Sequence, residues 1–363
     1  MSFRRMAFAA VVAAAVGGCG SPSPQLPRSP AVQTSPQALK TPVWKKSIPH
    51  VGVTAHLPDF LGLHLEQRGN RVVVRSWSSR PAVLVRSTTD LSRKELNAVL
   101  YPTSILTEIS SAHGYEDRCL ADGITYFYQL RQGNRSSAVE RVTLPPRALP
   151  VLKQPSLLVD KLHCVVEALD GGTVCKRYPL GLGRNPTERK LCFDNASTPE
   201  GFYRILGRQA EAQFYKAFDL DYPSALDRAR YDAIAKQRSL PAIGGEIEIH
   251  GGGVETNWTF GCMAMRNADI DELFAHPEIG EGTPVTIVGS ELTRSMVKAR
   301  FQSQPWLRKA QDELSAAGFN PGICDGKLSL STCEALGGFQ QKRRLTVTML
   351  PDAETLALLK ARP

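Results

Sequence analysis

The residues best suited to chemistry are a histidine and a cysteine twelve positions apart, His250 and Cys262, each flanked by glycine. The histidine opens Gly251-Gly252-Gly253, and the cysteine follows Trp258-Thr259-Phe260-Gly261. A free thiol near neutral pH is mostly protonated and a weak nucleophile. A neighbouring imidazole that takes its proton leaves the reactive thiolate. The imidazole must be held through its other nitrogen, and a backbone carbonyl in the Gly251–Gly253 stretch, Gly251 first, is the candidate. Gly261 permits a tight turn and close approach of a substrate. Amide groups at Gly261 and Cys262 are the candidate oxyanion hole for an attacked carbonyl. The competing interpretation is that both residues are merely buried, as Cys and His often are. A glycine-flanked pair at strand ends favours the catalytic one.

Positioning such a pair requires a rigid strand. Ile247 and Ile249 alternate with Glu246 and Glu248, which predicts a half-buried strand running directly into His250. Upstream, strands are predicted at 162–167 and 174–180 around an Asp170-Gly171-Gly172 turn, with a helix from Ser224 into Lys236. Prolines 145, 146, 150 and 155 mark a boundary before them. From 49 to 147, short runs rich in Val, Leu, Tyr and Phe alternate with turn residues, which predicts an antiparallel β-sandwich. From 302 to 361 the period becomes helical, with Leu307, Ala310 and Leu314, then Ala335, Leu336 and Phe339, then Leu356 and Leu359 as inward positions of a three-helix bundle. The predicted fold is therefore multidomain and mainly β.

The chain has 363 residues and a formal net charge of +9, which suits an anionic partner such as a cell-wall polymer or membrane surface. No basic run is interleaved with aromatics, so nucleic acid is not an expected partner. Arg4 and Arg5 precede an apolar run, Met6 to Val16, too short for a bilayer core of about 30 Å. It reads as a signal peptide. Val16-Gly17-Gly18-Cys19 resembles the lipobox of bacterial lipoproteins, which implies lipidation of Cys19, an N-terminal segment 1–19 that is processed, and an anchor in a membrane facing the periplasm, by resemblance the outer membrane. Residues 20–48 form a linker, whose Pro- and Ser-rich stretch 20–43 could reach on the order of 70 Å at about 3.1 Å per residue. Export places the cysteines in an oxidising compartment. Setting aside Cys19 and Cys262 leaves six, and their pairing is open. Cys324 and Cys333, close in sequence, are the first candidate pair. No spacing reads as a metal site, and no cofactor is expected.

The segment from His250 to Asn267 resembles the L,D-transpeptidase (YkuD-like) catalytic domain, whose motif has HG, a short loop, Ser/Thr-x-Gly-Cys and a downstream Asn. Thr259, Gly261, Cys262 and Asn267 fall in place. Gly183-Arg184-Asn185-Pro186, Thr198-Pro199-Glu200-Gly201 and Tyr222-Pro223 extend the likeness over about 155–290. The resemblance implies a mostly β capsule in which Cys262 attacks a peptidoglycan stem peptide and His250 acts as base and then acid. The thioester then passes to an amine, on a neighbouring stem (a 3–3 crosslink) or on a protein. Trp258, Thr259, Arg266, Asn267 and Tyr222 are the residues it suggests for substrate binding. The commonest pattern has Arg two residues after the Cys, where this chain has Ala264, which leaves room for hydrolysis by the same Cys–His pair. A third reading is a non-catalytic wall-binding lipoprotein. The 49–147 segment resembles a fibronectin type III module through Tyr115 and the run Asp122 to Tyr128. The 302–361 segment resembles a peptidoglycan-binding module through Gly318-Phe319, Asp325-Gly326 and Phe339-Gln340, with Met349 where Gly is common.

Overall fold

The computed structural model describes residues 61–78, 80–92, 101–109 and 114–361. The expected signal segment, Cys19 and the 20–48 linker lie outside the described residues. No helix among those described is long and apolar enough to cross a membrane.

Eight short strands open the described chain: β1 (Leu61–Arg68), β2 (Arg71–Ser78), β3 (Ala82–Ser87), β4 (Thr103–Ile109), β5 (Gly114–Asp117), β6 (Thr125–Gln132), β7 (Arg135–Ser136) and β8 (Glu140–Thr143). They make two antiparallel sheets, one ordered β1-β2-β5, the other β4-β3-β6-β7 with β8 also on β6. The alternation in β2 puts Val72 and Val74 fully inside, against Leu84, Tyr128 and Leu130. Period-2 patterning with one solvated face produces this layering. The sandwich core contains an ion pair. Arg86 is 1% exposed and holds Asp117 through two bonds of 3.0 and 2.8 Å. Its other amino group donates to Ser104 Oγ and to His163 O in the next domain. Burying a guanidinium is tolerable because every direction is satisfied.

The central domain runs β9 (Pro155–Asp160), β10 (Val165–Asp170), β11 (Thr173–Pro179), β12 (Gly201–Ala212), β13 (Tyr215–Leu220), α1 (Ala225–Arg238), β14 (Glu248–His250), β15 (Met263–Ala264), α2 (Asn267–Phe274) and β16 (Pro284–Val288). The strand order is β11-β10-β9-β16-β12-β13-β14-β15. Gly181, just past β11, exchanges both backbone bonds with Ala264, so the two ends of the sheet meet. Val159, Val166, Tyr178, Phe218, Ile249 and Met263 fill the interior. The turn after β9 is fixed by a buried Lys161–Glu200 pair at 3.0 Å. Lys161 also donates to Thr198 O, and Glu200 accepts from the amides of Glu291 and Leu292. The expected helix from Ser224 is α1, with Ser224 and Asp227 capping each other's backbone at its start.

Four helices end the chain: α3 (Arg294–Phe301), α4 (Pro305–Ala316), α5 (Leu330–Arg343) and α6 (Ala353–Leu358). Leu307, Ala310, Leu314, Leu336, Phe339 and Leu356 point inward as their spacing predicts. The core they share is larger than a self-contained three-helix bundle. Met296 and Ala299 of α3, together with Val288 and Leu292 of the central domain, belong to it, and Phe202, Leu226 and Ala233 pack against it. Cys324 and Cys333 do not pair, which corrects the expected bridge. Both thiols are free: Cys333 is 3% exposed on the inner face of α5, while Cys324 sits in the loop near Ser315 Oγ and Gly322 O.

Candidate active site

His250 ends β14, between β13 and β15. Its amide neighbours are all used: Gly251 N–H donates to Lys216 O, and Met265 N–H to His250 O at 2.7 Å. The ring is fully buried, with Phe214 5.0 Å and Trp258 5.4 Å from its centroid. Nδ1 lies 2.6 Å from Gly251 O. A carbonyl only accepts, so Nδ1 carries the hydrogen and Nε2 has the free lone pair. Nε2 is buried and has no partner among the described residues. Burial lowers the imidazole pKa, and the Gly251 carbonyl pulls it the other way with the smaller effect. The net result is a neutral imidazole with its basic nitrogen free, the state a general base requires.

Cys262 precedes β15, whose Met263 and Ala264 lie beside Ile249 and His250 in parallel register. Its thiol is directed at Glu246 O, 3.4 Å away, rather than at His250. Burial pushes the thiol pKa up to about 11, aided by the nearby Glu248 and Glu246 carboxylates; a backbone bond at Glu248 and the Lys190 ammonium oppose the shift. The resting pair is therefore thiol and imidazole, not thiolate and imidazolium. Catalytic bonds are often long or poorly aligned before substrate binds. Glu246 itself has φ +54°, and its segment is tied down by Phe193 N–H on Ala242 O, Tyr231 OH on Pro241 O and Tyr222 OH on Ile243 O.

The glycines have separable reasons. A Cβ on Gly251 would lie 2.7 Å from Asn267 Oδ1 and 3.1 Å from Phe214 O. Gly261 has φ +137°, and a Cβ there would meet Ser197 O at 2.7 Å.

The other expected residues divide. Trp258 is half-buried, stacks edge-on against Phe214 at 4.9 Å, and donates to Gly253 O. It stands beside His250, with ring centroids 5.4 Å apart. Asn267 Oδ1 accepts from Gly252 N–H at 2.9 Å, so its amide organises the glycine loop. Thr259 and Tyr222 are corrections. Thr259 is 4% exposed and turned inward: its hydroxyl donates to Cys262 O at 2.7 Å and accepts from Gly261 N–H at 3.2 Å. That second bond also occupies the Gly261 amide expected in the oxyanion hole. Tyr222 is 6% exposed in the core. Arg266 lies at the far end of β15 from Cys262, in a bidentate pair with Asp269, facing a cleft of about 270 Å³ lined by Thr88, Thr125, Val254 and Glu255. Ala264 is fully buried, and its backbone exchanges both bonds with Gly181. Sequence reading missed Lys190, and it took Phe214 only as part of the family likeness and not as a ring packed on His250; both lie far along the chain from the motif and reach it only through the fold.

One grouping of metal-type ligands occurs among the described residues: Cys119, Asp160 and His163, with ligand atoms within 4.8 Å of one another. Both Asp160 oxygens are already committed, Oδ2 to Arg294 at 2.8 Å and to His163 Nδ1 at 2.9 Å, and Oδ1 to His163 N–H. The group is an ion-pair network where the sandwich meets the central domain, away from Cys262.

Residues 154–287 match the family described as the L,D-transpeptidase catalytic domain (YkuD), and residues 303–359 match a peptidoglycan binding domain. Among solved structures, an L,D-transpeptidase from Xylanimonas cellulosilytica is 15% identical, with 39% of this chain and 64% of that chain covered and a TM-score of 0.26. L,D-transpeptidase 1 of Mycobacterium tuberculosis is 11% identical over 49% of this chain and 77% of its own, at 0.25. Bd1075 of Bdellovibrio bacteriovorus is 21% identical over 54% and 75%, at 0.28. This chain thus spans less than two thirds of the first of these. No curated protein matches the chain.

Proposed function

We propose that this protein is a cell-wall L,D-transpeptidase that forms a thioester between Cys262 and a peptidoglycan stem peptide and transfers it to an amine. The observation that carries this is the His250 geometry: Nδ1–H fixed on Gly251 O, with Nε2 free beside the strand that follows Cys262. The presence of a peptidoglycan binding domain in the same chain supports the substrate class. His250 accepts the thiol proton as Sγ attacks the stem carbonyl, then donates it to the departing D-amino acid amine. The incoming amine of a second stem, or of a protein lysine, loses its proton to the same nitrogen.

The fibronectin type III-like sandwich is assigned a spacing role. Lipidation of Cys19 is proposed to tether the enzyme to a membrane facing the periplasm, with the Pro/Ser-rich linker as the reach to the wall. The second reading, hydrolysis by the same pair, is favoured by one observation: position 264 carries only a buried methyl group, so the donor carboxylate is not held by a side chain there.

The test is mass spectrometry of products from the intact protein with a disaccharide-tetrapeptide, beside Cys262→Ala. A crosslinked dimer that has lost one D-alanine, absent with the variant, is the expected result. Shortened monomer without dimer would replace the transferase reading with the hydrolytic one. Equal turnover by Cys262→Ala would remove the cysteine mechanism.

A further inference from the structure

Lys190 lies 72 residues before Cys262 in sequence and is 4% exposed. Its Nζ donates to Phe260 O at 3.1 Å and to Phe193 O at 3.3 Å, and lies 3.3 Å from where a Cβ on Gly261 would stand. Both partners are neutral carbonyls, and no carboxylate reaches it within ion-pair distance among the described residues. A buried ammonium without a counter-ion is unfavourable. Other buried cations of this chain are paired: Lys161 with Glu200, Arg86 with Asp117, Arg230 with Glu291. Lys190 stands apart from them, and what it faces is the peptide that delivers the nucleophile.

We infer that Lys190 is a positioning residue of the reaction: its charge stabilises the anionic form of Cys262 while its two carbonyl bonds hold the Phe260–Gly261 peptide in place. This rests on the reading of Cys262 as nucleophile and assigns it an electrostatic partner. The groups facing the two residues are few. Around Cys262 stand Lys190, Glu246 and Glu248, with His250 one strand away; around Lys190 stand Cys192, Asp194 and Cys262. Lys190 is the only cation acting on the thiol among these, and both carboxylates oppose it. The Lys190 charge acts on the sulfur as the thiol proton leaves, whereas an oxyanion-hole amide acts on the oxygen of the attacked carbonyl.

The test separates charge from structure. Lys190→Gln keeps an N–H donor for the two carbonyls and removes the charge, whereas Lys190→Arg keeps the charge. Alkylation of Cys262 by iodoacetamide is followed from pH 6.5 to 9, in full-length protein carrying Ser at the other cysteines. A unit rise in thiol pKa lowers the thiolate fraction tenfold, and the greater nucleophilicity of the more basic thiolate returns part of that. Lys190→Gln is therefore expected to react about threefold or more slowly across the range, with Lys190→Arg near the parent. Parent-like reactivity of folded Lys190→Gln would overturn the inference, as would equal slowing in both variants. A second measurement leaves Lys190 in place: lysine side-chain NMR of Cys262→Asp beside Cys262→Asn. The fixed carboxylate is expected to raise the Lys190 pKa by about one unit. Identical titration in the two overturns the proposal even if the Lys190 variants do not fold. Both readouts report the thiol and the ammonium alone, so they stand whether or not peptidoglycan proves to be the substrate.

Discussion

Gly251→Ala isolates the element that holds the base. The new Cβ would be placed 2.7 Å from Asn267 Oδ1, 3.0 Å from Tyr215 Cβ and 3.1 Å from Phe214 O. Comfortable contacts begin near 3.5 Å, so relief requires a shift of roughly half an ångström or more. None of the three can yield alone. Asn267 is held by Gly252 N–H at 2.9 Å, Phe214 O belongs to the turn between β12 and β13, and Tyr215 is the first residue of β13, paired with Ala212. The residue-251 peptide must therefore move, and its carbonyl is the acceptor that sets the His250 ring. Overpacking of this kind destabilises by about 1–3 kcal/mol. Misplacing a catalytic group by an ångström loses rate by up to about 100-fold. The expectation is a fall of roughly 10- to 100-fold in turnover of a disaccharide-tetrapeptide, with a modest drop in melting temperature. Gly245→Ala is the control: a Cβ there meets nothing within 4 Å, although it lies on the segment beside Cys262. If Gly251→Ala turned over at the parent rate, the claim that Gly251 O positions the imidazole would be wrong.

Arg86→Met leaves Asp117 buried without its partner and should destabilise by about 3–5 kcal/mol in urea unfolding, with Arg86→Met/Asp117→Leu recovering part of that. Burial raises the Asp160 carboxyl, but its hydrogen bonds with His163 and Arg294 and the Arg294 charge outweigh that and hold it at about 2. A depressed folded value means that its stabilisation is present above the unfolded value of about 3.9 and disappears as pH falls towards 2. Melting temperature should drop over that window, and Asp160→Asn should flatten that part of the profile. His250 is lowered by burial, so the acid limb of turnover should lie below the ordinary histidine value of about 6.5. A limb above 6.5 in a kcat/KM profile would contradict that assignment.

The sequence alone determined the candidate His250–Cys262 pair and much of the scaffold around it, because these are local properties. Alternation at Ile247 and Ile249 specified a strand into His250, Ser224 and Asp227 capped a helix at the expected place, and the inward positions of α4, α5 and α6 followed from helical spacing. Period and capping act over a few residues and survive without tertiary context. What failed depended on contacts distant in sequence. Thr259 and Tyr222 have residue types suited to substrate contact, and only packing reveals that Thr259 bonds to the Gly261–Cys262 turn and that Tyr222 lies in the core. The Cys324–Cys333 pairing followed from proximity along the chain, whereas α5 turns Cys333 into the helical core. Lys190 was invisible for the same reason. A lysine in a loop carries no signal of its own, and it acquires one when the closed sheet brings residues 190 and 260 within one hydrogen bond. Local patterns fix which face of an element is buried, but what that face meets is decided by the whole fold.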